Sequence, residues 1–239
     1  MAARRAATRG NDDPRGTRLD EILEAALQVF LAKSYRRAQM ADVARELGVS
    51  PGTLYNYVES KEALFHLIVE RGFGSVATPP ATYPVPTPPP GATLAALQRR
   101  FGKGVPLPAL DAALSRIRVT DPAAELTAIV RELYALIASN RHGIVLLERS
   151  AHDWPELAAF FYRGLRRSTL KRLEQYLDAR MRTGALRTVP DRAAAARLIN
   201  ETIAWFAMHR FGDNDSSDVS DASAEATVTD VLVHAFTRR

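Results

Sequence analysis

Residues 39–58, QMADVARELGVSPGTLYNYV, carry the pattern on which the fold turns. Met40, Val43, Ala44 and Leu47 recur at three- and four-residue spacing, which predicts one short amphipathic helix. Gly48 follows, where a left-handed residue ends a helix at little steric cost. Ser50 and Pro51 then read as the N-cap and first residue of a new helix. Ala44 is small where the two helices must cross, and Leu54 and Val58, four apart, dock the second helix on the first. Two short helices joined by a tight glycine turn form a helix-turn-helix. The second helix should run about eight residues, roughly 12 Å, close to the width of a DNA major groove.

With Leu54 and Val58 inward, Gly52, Thr53, Tyr55, Asn56 and Tyr57 are left to face outward. Gly52 permits close backbone approach at a helix N-terminus, whose free N–H groups favour phosphate. Thr53 offers a methyl group or a hydroxyl, and Asn56 has the donor–acceptor pair that suits adenine. The hydroxyls of Tyr55 and Tyr57 suit phosphates, which position a protein without specifying sequence.

Upstream, Leu19, Ile22, Leu23, Ala26, Leu27, Phe30 and Leu31 predict a helix starting at Thr17, with Asp20 at capping-box spacing. Residues 1–16 read as a flexible basic arm, either a solvated tail or one that sends Arg4, Arg5 and Arg9 toward a minor groove. Downstream, a third helix runs from Ser60, Lys61 and Glu62 through Leu64, Phe65, Ile68 and Val69 to Gly72 and Gly74. Lys61, in its first turn, should project toward the DNA backbone.

Residues 17–74 resemble the DNA-binding domain of the tetracycline-repressor-like (TetR) family. The segment DVARELGVSPGTLYNYVESKEALF, 42–65, follows the family pattern nearly residue for residue. The resemblance implies that Gly52, Thr53, Tyr55, Asn56 and Tyr57 face operator DNA in the major groove, with Ser50 among them, and that Lys61 binds phosphate. There are departures. Ser34 precedes Tyr35 where the family usually has glycine, and Ala38 and Gln39 stand where it usually has Thr or Ser. A phosphate contact at the entrance of the second helix then falls to Gln39.

Residues 75–92, SVATPPATYPVPTPPPGA, are Pro-rich and exclude a helix; they read as a stiff linker or ordered loop within a connector taken as 75–105. Beyond it, in a body spanning 106–239, only helices are expected. Asp121-Pro122 opens a helix with Leu126, Ile129, Val130, Leu133 and Ile137 on one stripe. A short helix lies around Ile144–Leu147, and a single long one from Pro155 to about Arg180. Pro190-Asp191 starts another, and a last helix puts Val228, Val231, Leu232, Ala235 and Phe236 on one face. Residues 212–222 read as a disordered acidic loop.

The stretches HDWPELAAFFY (152–162) and GALR (184–187) resemble the regulatory body of the same family more weakly. The resemblance implies a homodimer joined through the last two long helices, with Leu198, Ile199, Thr202, Phe206, Val228, Leu232 and Phe236 at the interface. The same stripes would equally serve a monomer core. It also implies a small-molecule effector between the body helices. Tyr134, Trp154, Phe161, Tyr162, Trp205, Met208 and His209 are candidate walls, each also readable as plain core. Arg163, Arg166, Arg167, Lys171 and Arg172 form either a solvated face or a site for an anionic effector.

Composition fits this organisation. The chain has 239 residues, 46% hydrophobic, enough for a second core beyond a DNA-reading module. It has no cysteine, so disulfides and thiolate metal sites are excluded, as suits a reducing cytoplasm. No secretory signal or membrane-length apolar run is present. The formal charge is +5, but residues 1–74 hold 11 Lys+Arg against 10 Asp+Glu. DNA binding therefore rests on motif geometry, not on bulk charge. Phosphate-cradling loops, nucleophile elbows and zinc-like histidine pairs are missing; Glu148 and His152 are four apart, and Asp213–Asp218 lacks the glycine and glutamate of a calcium loop. No cofactor and no metal are expected. The sequence thus predicts an all-α chain, a three-helix helix-turn-helix head on a ligand-binding, dimerising helical bundle, acting as an effector-released repressor. The competing reading is a helical enzyme or ligand-binding protein whose head only mediates assembly.

Overall fold

A computed structural model of the chain describes residues 14–72, 80–216 and 218–237. The arm's Arg4, Arg5 and Arg9, and Gly74 at the expected end of the third helix, lie outside those residues. Secondary structure among the described residues is helical apart from one isolated bridge, Val58 to Val85.

The head is built from α1 (Pro14–Lys33), α2 (Met40–Leu47), α3 (Pro51–Tyr55) and α4 (Lys61–Gly72). Helix α1 starts at Pro14, so Thr17 lies inside it and is not its cap. Its stripe is real: Leu19, Ile22, Ala26 and Phe30 are fully buried, and a buried Leu, Ile or Phe side chain stabilises by roughly 1.5–3 kcal/mol. Gly48 ends α2 at φ 70°, where its N–H and that of Val49 close on the Arg45 and Ala44 carbonyls. Helix α3 is shorter than the eight residues expected, because the chain turns at Asn56 and Tyr57 once Leu54 is buried. The Leu54 carbonyl still accepts from Tyr57 and Val58, so the register that buries Val58 is kept. Ser60 caps α4 by accepting from the Ala63 N–H.

The described part of the Pro-rich stretch, from residue 80 on, is held against the head. It bends through residues 81–84, and Val85 then exchanges backbone bonds with Tyr57 and Glu59 of the head. The connector also ends earlier than expected, since α5 (Ala92–Phe101) and α6 (Pro108–Ser115) occupy the region before the first assigned body helix. The body continues through α7 (Pro122–Ser139), α8 (Arg141–Ala151) and α9 (Pro155–Ala158). A π-helical segment (Ala159–Arg166) leads into α10 (Arg167–Arg182), followed by α11 (Arg192–Ala207), a short 3-10 turn (His209–Gly212) and α12 (Asp221–Phe236). Asp121, Asp191 and Ser220 cap α7, α11 and α12 by accepting from the third residue beyond each.

Two apolar cores result. One joins the head to Leu97 of α5, Leu146 and Leu147 of α8, Leu157 of α9 and Phe161 of the π segment. The other lies among α6, α7, α10, α11 and α12. The segment 212–222 is ordered where it is described: buried Arg210 reaches the Val219 carbonyl and Asp221, and buried Ser216 bonds back to the Asp213 carbonyl. Val231 departs from its expected face and is 55% exposed.

Candidate DNA-reading surface and effector cavity

Leu54 and Val58 are fully buried against α1, α2 and α4, which pins α3 from beneath. Pro51, Gly52, Tyr55 and Asn56 are exposed, with Tyr55 at 48%, and Thr53 is half-buried. Ser50, at the N-cap of α3, is exposed, and its hydroxyl pairs with Thr53 Oγ1 at 3.0 Å, so one proton serves both oxygens. A Cβ added to Gly52 would meet only Ser50 Oγ, at 3.8 Å. Nothing among the described residues therefore requires glycine there. Gln39 is exposed at the start of α2, where its N–H donates to Asp42 Oδ2 at 3.0 Å.

Two expected contacts are redirected. Tyr57 does not face outward: it is half-buried, and its ring meets Tyr83 of the connector edge-on at 5.9 Å. Lys61 does not project toward solvent. Its ammonium donates to the Ala38 carbonyl at 3.0 Å and to that of Arg36 at 3.4 Å, and sits 4.7 Å from the Tyr35 ring. Ala38 is buried, so its carbonyl needs a donor within the protein, and Lys61 supplies it. Tyr35 OH donates to Glu62, and burial together with that carboxylate pushes the phenol above its usual range.

In the body, a mainly apolar cavity of about 130 Å³ opens among α5, α7, α8, the π segment, α11 and the turn after it. Leu133, Ile137, Ile144, Leu147, Phe161, Leu165 and Met208 give its apolar walls, and Asn140, Glu148, Arg166, Asn200, Glu201 and His209 its polar ones. Of the residues expected there, Phe161, Met208 and His209 line it. Tyr134 is core instead, its hydroxyl donating to the Phe206 carbonyl at 3.3 Å. Trp154 packs on Tyr35 and Phe65 of the head, at 5.9 and 6.0 Å. Tyr162 lines a separate surface groove, and Trp205 is 40% exposed.

Glu148 was legible as an interruption of an apolar face, since it follows Ile144 and Leu147 on the cavity side of α8. Burial pushes its carboxyl above the ordinary range, and His209 and Arg166 pull the other way. His142 and His152 are exposed, and among the described residues no cluster of three or more metal-binding side chains exists. The expected interface residues divide. Ile199, Val228, Leu232 and Phe236 are buried in the second core, because their faces pack within the chain, and Thr202 and Phe206 are half-buried. Leu198 is 56% exposed.

Head and body are joined through α8, which packs on α1 and α4. Ser34 Oγ donates to Asp153 Oδ2 at 2.9 Å, and Arg149 donates to the Leu31 carbonyl. His66 Nδ1 on α4 meets Thr93 Oγ1 on α5 at 3.1 Å.

Comparison with known proteins gives these features a context. Residues 22–68 match the family of bacterial regulatory proteins of the tetR type, and residues 124–239 match the C-terminal domain of AefR-like transcriptional repressors. The transcriptional regulator YfiR of Bacillus subtilis is 46% identical over 52 residues, 22% of this chain and 25% of YfiR. The transcriptional activator FasR of Mycolicibacterium smegmatis is 38% identical over 63 residues, 26% of this chain and 29% of FasR. This chain thus aligns with less than a third of either relative's length. In overall fold it is similar to the ketosteroid transcriptional regulator KstR2 of Mycobacterium tuberculosis, with a TM-score of 0.56 and 16% identity over 98% of this chain and 100% of KstR2.

Proposed function

The chain belongs to the TetR family of bacterial transcriptional regulators, and from that premise we propose that it is a homodimeric repressor released from operator DNA by a small effector. One observation carries the reading. Helix α8 has Leu146 and Leu147 in the core shared with the head, while Ile144, Leu147 and Glu148 line the body cavity. An occupant of the cavity that favours one position of α8 thereby biases the placement of α1 and α4. That differential interaction is what allosteric release requires.

The face that reads DNA consists of Gly52, Thr53, Tyr55 and Asn56, flanked by Gln39 and Ser50. Gly52 allows close approach of the backbone to a phosphate, Thr53 and Asn56 offer groups to base edges, and Tyr55 a phosphate contact. Lys61 and Tyr57 support this face from behind, by closing the loop after α1 and by docking the connector. Two copies, joined through an apolar face of α11, present two such surfaces to half-sites about one helical turn apart. This work takes place in the cytoplasm and calls on no cofactor and no catalytic group; among the described residues no helix is long and apolar enough to cross a membrane. The competing idea, a head that only mediates assembly, is not supported by the relatives, which are transcriptional regulators.

The test is fluorescence anisotropy with labelled duplex from upstream of the protein's own coding region, at several salt concentrations. Specific binding should weaken steeply as salt rises. Gly52→Ala should reduce affinity by about tenfold or more, the scale of one lost close contact, and leave the melting temperature unchanged or slightly raised. Wild-type affinity in that variant would remove Gly52 from the reading face.

A further inference from the structure

We infer that the effector is a phosphate-bearing amphiphile, its apolar end in the body cavity and its anionic head on the basic groove that meets the cavity at Arg166. The inference rests on the reading of the cavity as the effector site and adds the chemistry of its occupant.

A second depression, of about 470 Å³, lies on the surface between α10 and α11. Five cationic side chains line it, Arg163, Arg166, Arg167, Lys171 and Arg197, against one carboxylate, Glu174. Structural ion pairing accounts for two of the five. Arg166 donates to Glu201 Oε1 at 2.6 Å, and Arg197 reaches the same oxygen at 3.3 Å. Among the described residues, Arg163, Arg167 and Lys171 make no ion pair or hydrogen bond, and all three are exposed. Like charges gathered on one groove repel one another, and a bound anion relieves that repulsion. Arg guanidinium groups suit the planar, bidentate recognition of phosphate.

The groove and the cavity adjoin at Arg166, which lines both, and its partner Glu201 lines the cavity. Tyr162 forms part of the groove wall, with the Arg166 guanidinium 5.9 Å from its ring centre. The cavity, at about 130 Å³, is close to the roughly 150 Å³ that accommodates a benzene molecule. A group of about six carbons therefore fills it. Glu148 lies on the cavity wall, where burial raises its carboxyl above the ordinary range and His209 and Arg166 pull the other way.

The opposite chemistry, an amine attracted to Glu148, is one outcome of the test. The full-length protein, without DNA, is titrated calorimetrically with hexyl phosphate, 1-hexanol, hexylamine and inorganic phosphate. Hexyl phosphate should bind at least about tenfold more tightly than 1-hexanol, and more tightly than hexylamine or inorganic phosphate. The triple variant Arg163→Glu, Arg167→Glu, Lys171→Glu should lose that advantage and bind 1-hexanol as the wild type does. Lys171→Glu alone, a single change at an exposed position, should lose part of it with an unchanged melting curve. The inference is overturned if hexyl phosphate is no tighter than 1-hexanol, if hexylamine binds most tightly, if none of the probes binds, or if the charge reversals leave the advantage intact. Should 1-hexanol bind and release DNA while the phosphate adds nothing, the repressor reading stands and this inference falls. Should hexyl phosphate bind as expected without releasing DNA, the ligand chemistry stands and the repressor reading falls.

Discussion

Ser34 holds φ 67°, a left-handed backbone that its side chain disfavours, at a cost of roughly 1–2 kcal/mol relative to glycine. Its hydroxyl offsets part of that cost by donating to Asp153 on the body, and a net hydrogen bond contributes about 1 kcal/mol. Ser34→Gly should therefore change the free energy of unfolding by less than about 1 kcal/mol, because relief of strain and loss of the bond oppose each other. Ser34→Ala keeps the strain and loses the bond, so denaturant titration should show a loss of about 1 kcal/mol; wild-type stability in Ser34→Ala would mean the bond contributes nothing. Asp42 gives a pH-dependent case. Its carboxylate accepts from Lys33 at 2.7 Å, from the Gln39 N–H at 3.0 Å and from Arg45 at 3.0 Å, which together hold its pKa to about 2. An unfolded aspartate titrates near about 3.9, so the unfolded chain binds more protons between those values. The stabilisation is present above the unfolded value and is lost as pH falls through about 2. Asp42→Asn should lower the melting temperature at pH 7, with the difference from wild type shrinking between pH 4 and pH 2. A difference independent of pH over that range would show that the charge is not the cause.

At the scale of elements, the long helix expected from Pro155 to Arg180 shows where periodicity was informative and where it was under-read. Leu157, Phe161, Leu165, Thr169 and Leu173 recur strictly every fourth residue. On a helix of 3.6 residues per turn such a row drifts steadily off one face. The π-helical winding of 159–166 widens the turn and keeps the row inward, with Leu157 and Leu173 fully buried and Leu165 and Thr169 on the cavity. The helix was legible in the sequence; the winding needed that spacing to be taken literally. Further along, α10 buries Arg180 at 2% exposure, a position that solvent-facing rules assign to a neutral side chain. Its guanidinium forks onto Glu125 of α7, at 2.7 and 2.9 Å, and donates to the Ala113 and Arg116 carbonyls at the end of α6. One side chain thus ties three helices together, and no sequence period reveals a bond between residues 125 and 180. Glu125→Ala leaves the guanidinium buried without its counter-charge and should destabilise the protein by roughly 3–5 kcal/mol in urea unfolding. Combining Glu125→Leu with Arg180→Met should recover most of that loss. If Glu125→Ala unfolds like the wild type, the pair does not hold α6, α7 and α10 together.

For the whole molecule, the sequence made the helices of the head and their inward faces readable because those contacts are local and periodic. Partition between core and surface in the body was less readable, since an apolar stripe looks the same whether it meets its own chain or another copy. The connector was opaque for a different reason: Val85 pairs with Val58 and Tyr83 with Tyr57, contacts across 26 or 27 positions that leave no period. Helix α5 (ATLAALQRRF) has only Leu97 among its large side chains fully in the core, too thin a stripe to assign beside a run of prolines. Exposure now sorts the two long C-terminal helices. On α11, Leu198, Thr202 and Trp205 fall at i, i+4 and i+7 on one face; Leu198 is 56% and Trp205 40% exposed, while Ile199 and Ile203 between them are buried. On the neighbouring α12, Val231 is 55% exposed. Large apolar side chains left in water along one face are what a second copy would cover in the proposed dimer. Trp205, packed edge-on against Phe206 with ring centres 4.8 Å apart, is the side chain of the kind that dominates such interfaces. Trp205→Glu adds a charge there at a side chain outside the buried part of the second core, so the monomer should stay folded by circular dichroism. Light scattering should then report a shift from dimer to monomer. Operator affinity should fall with it, because one α3 reads only one half-site. A Trp205→Glu protein that remains dimeric and binds its operator as before would move the interface to another face.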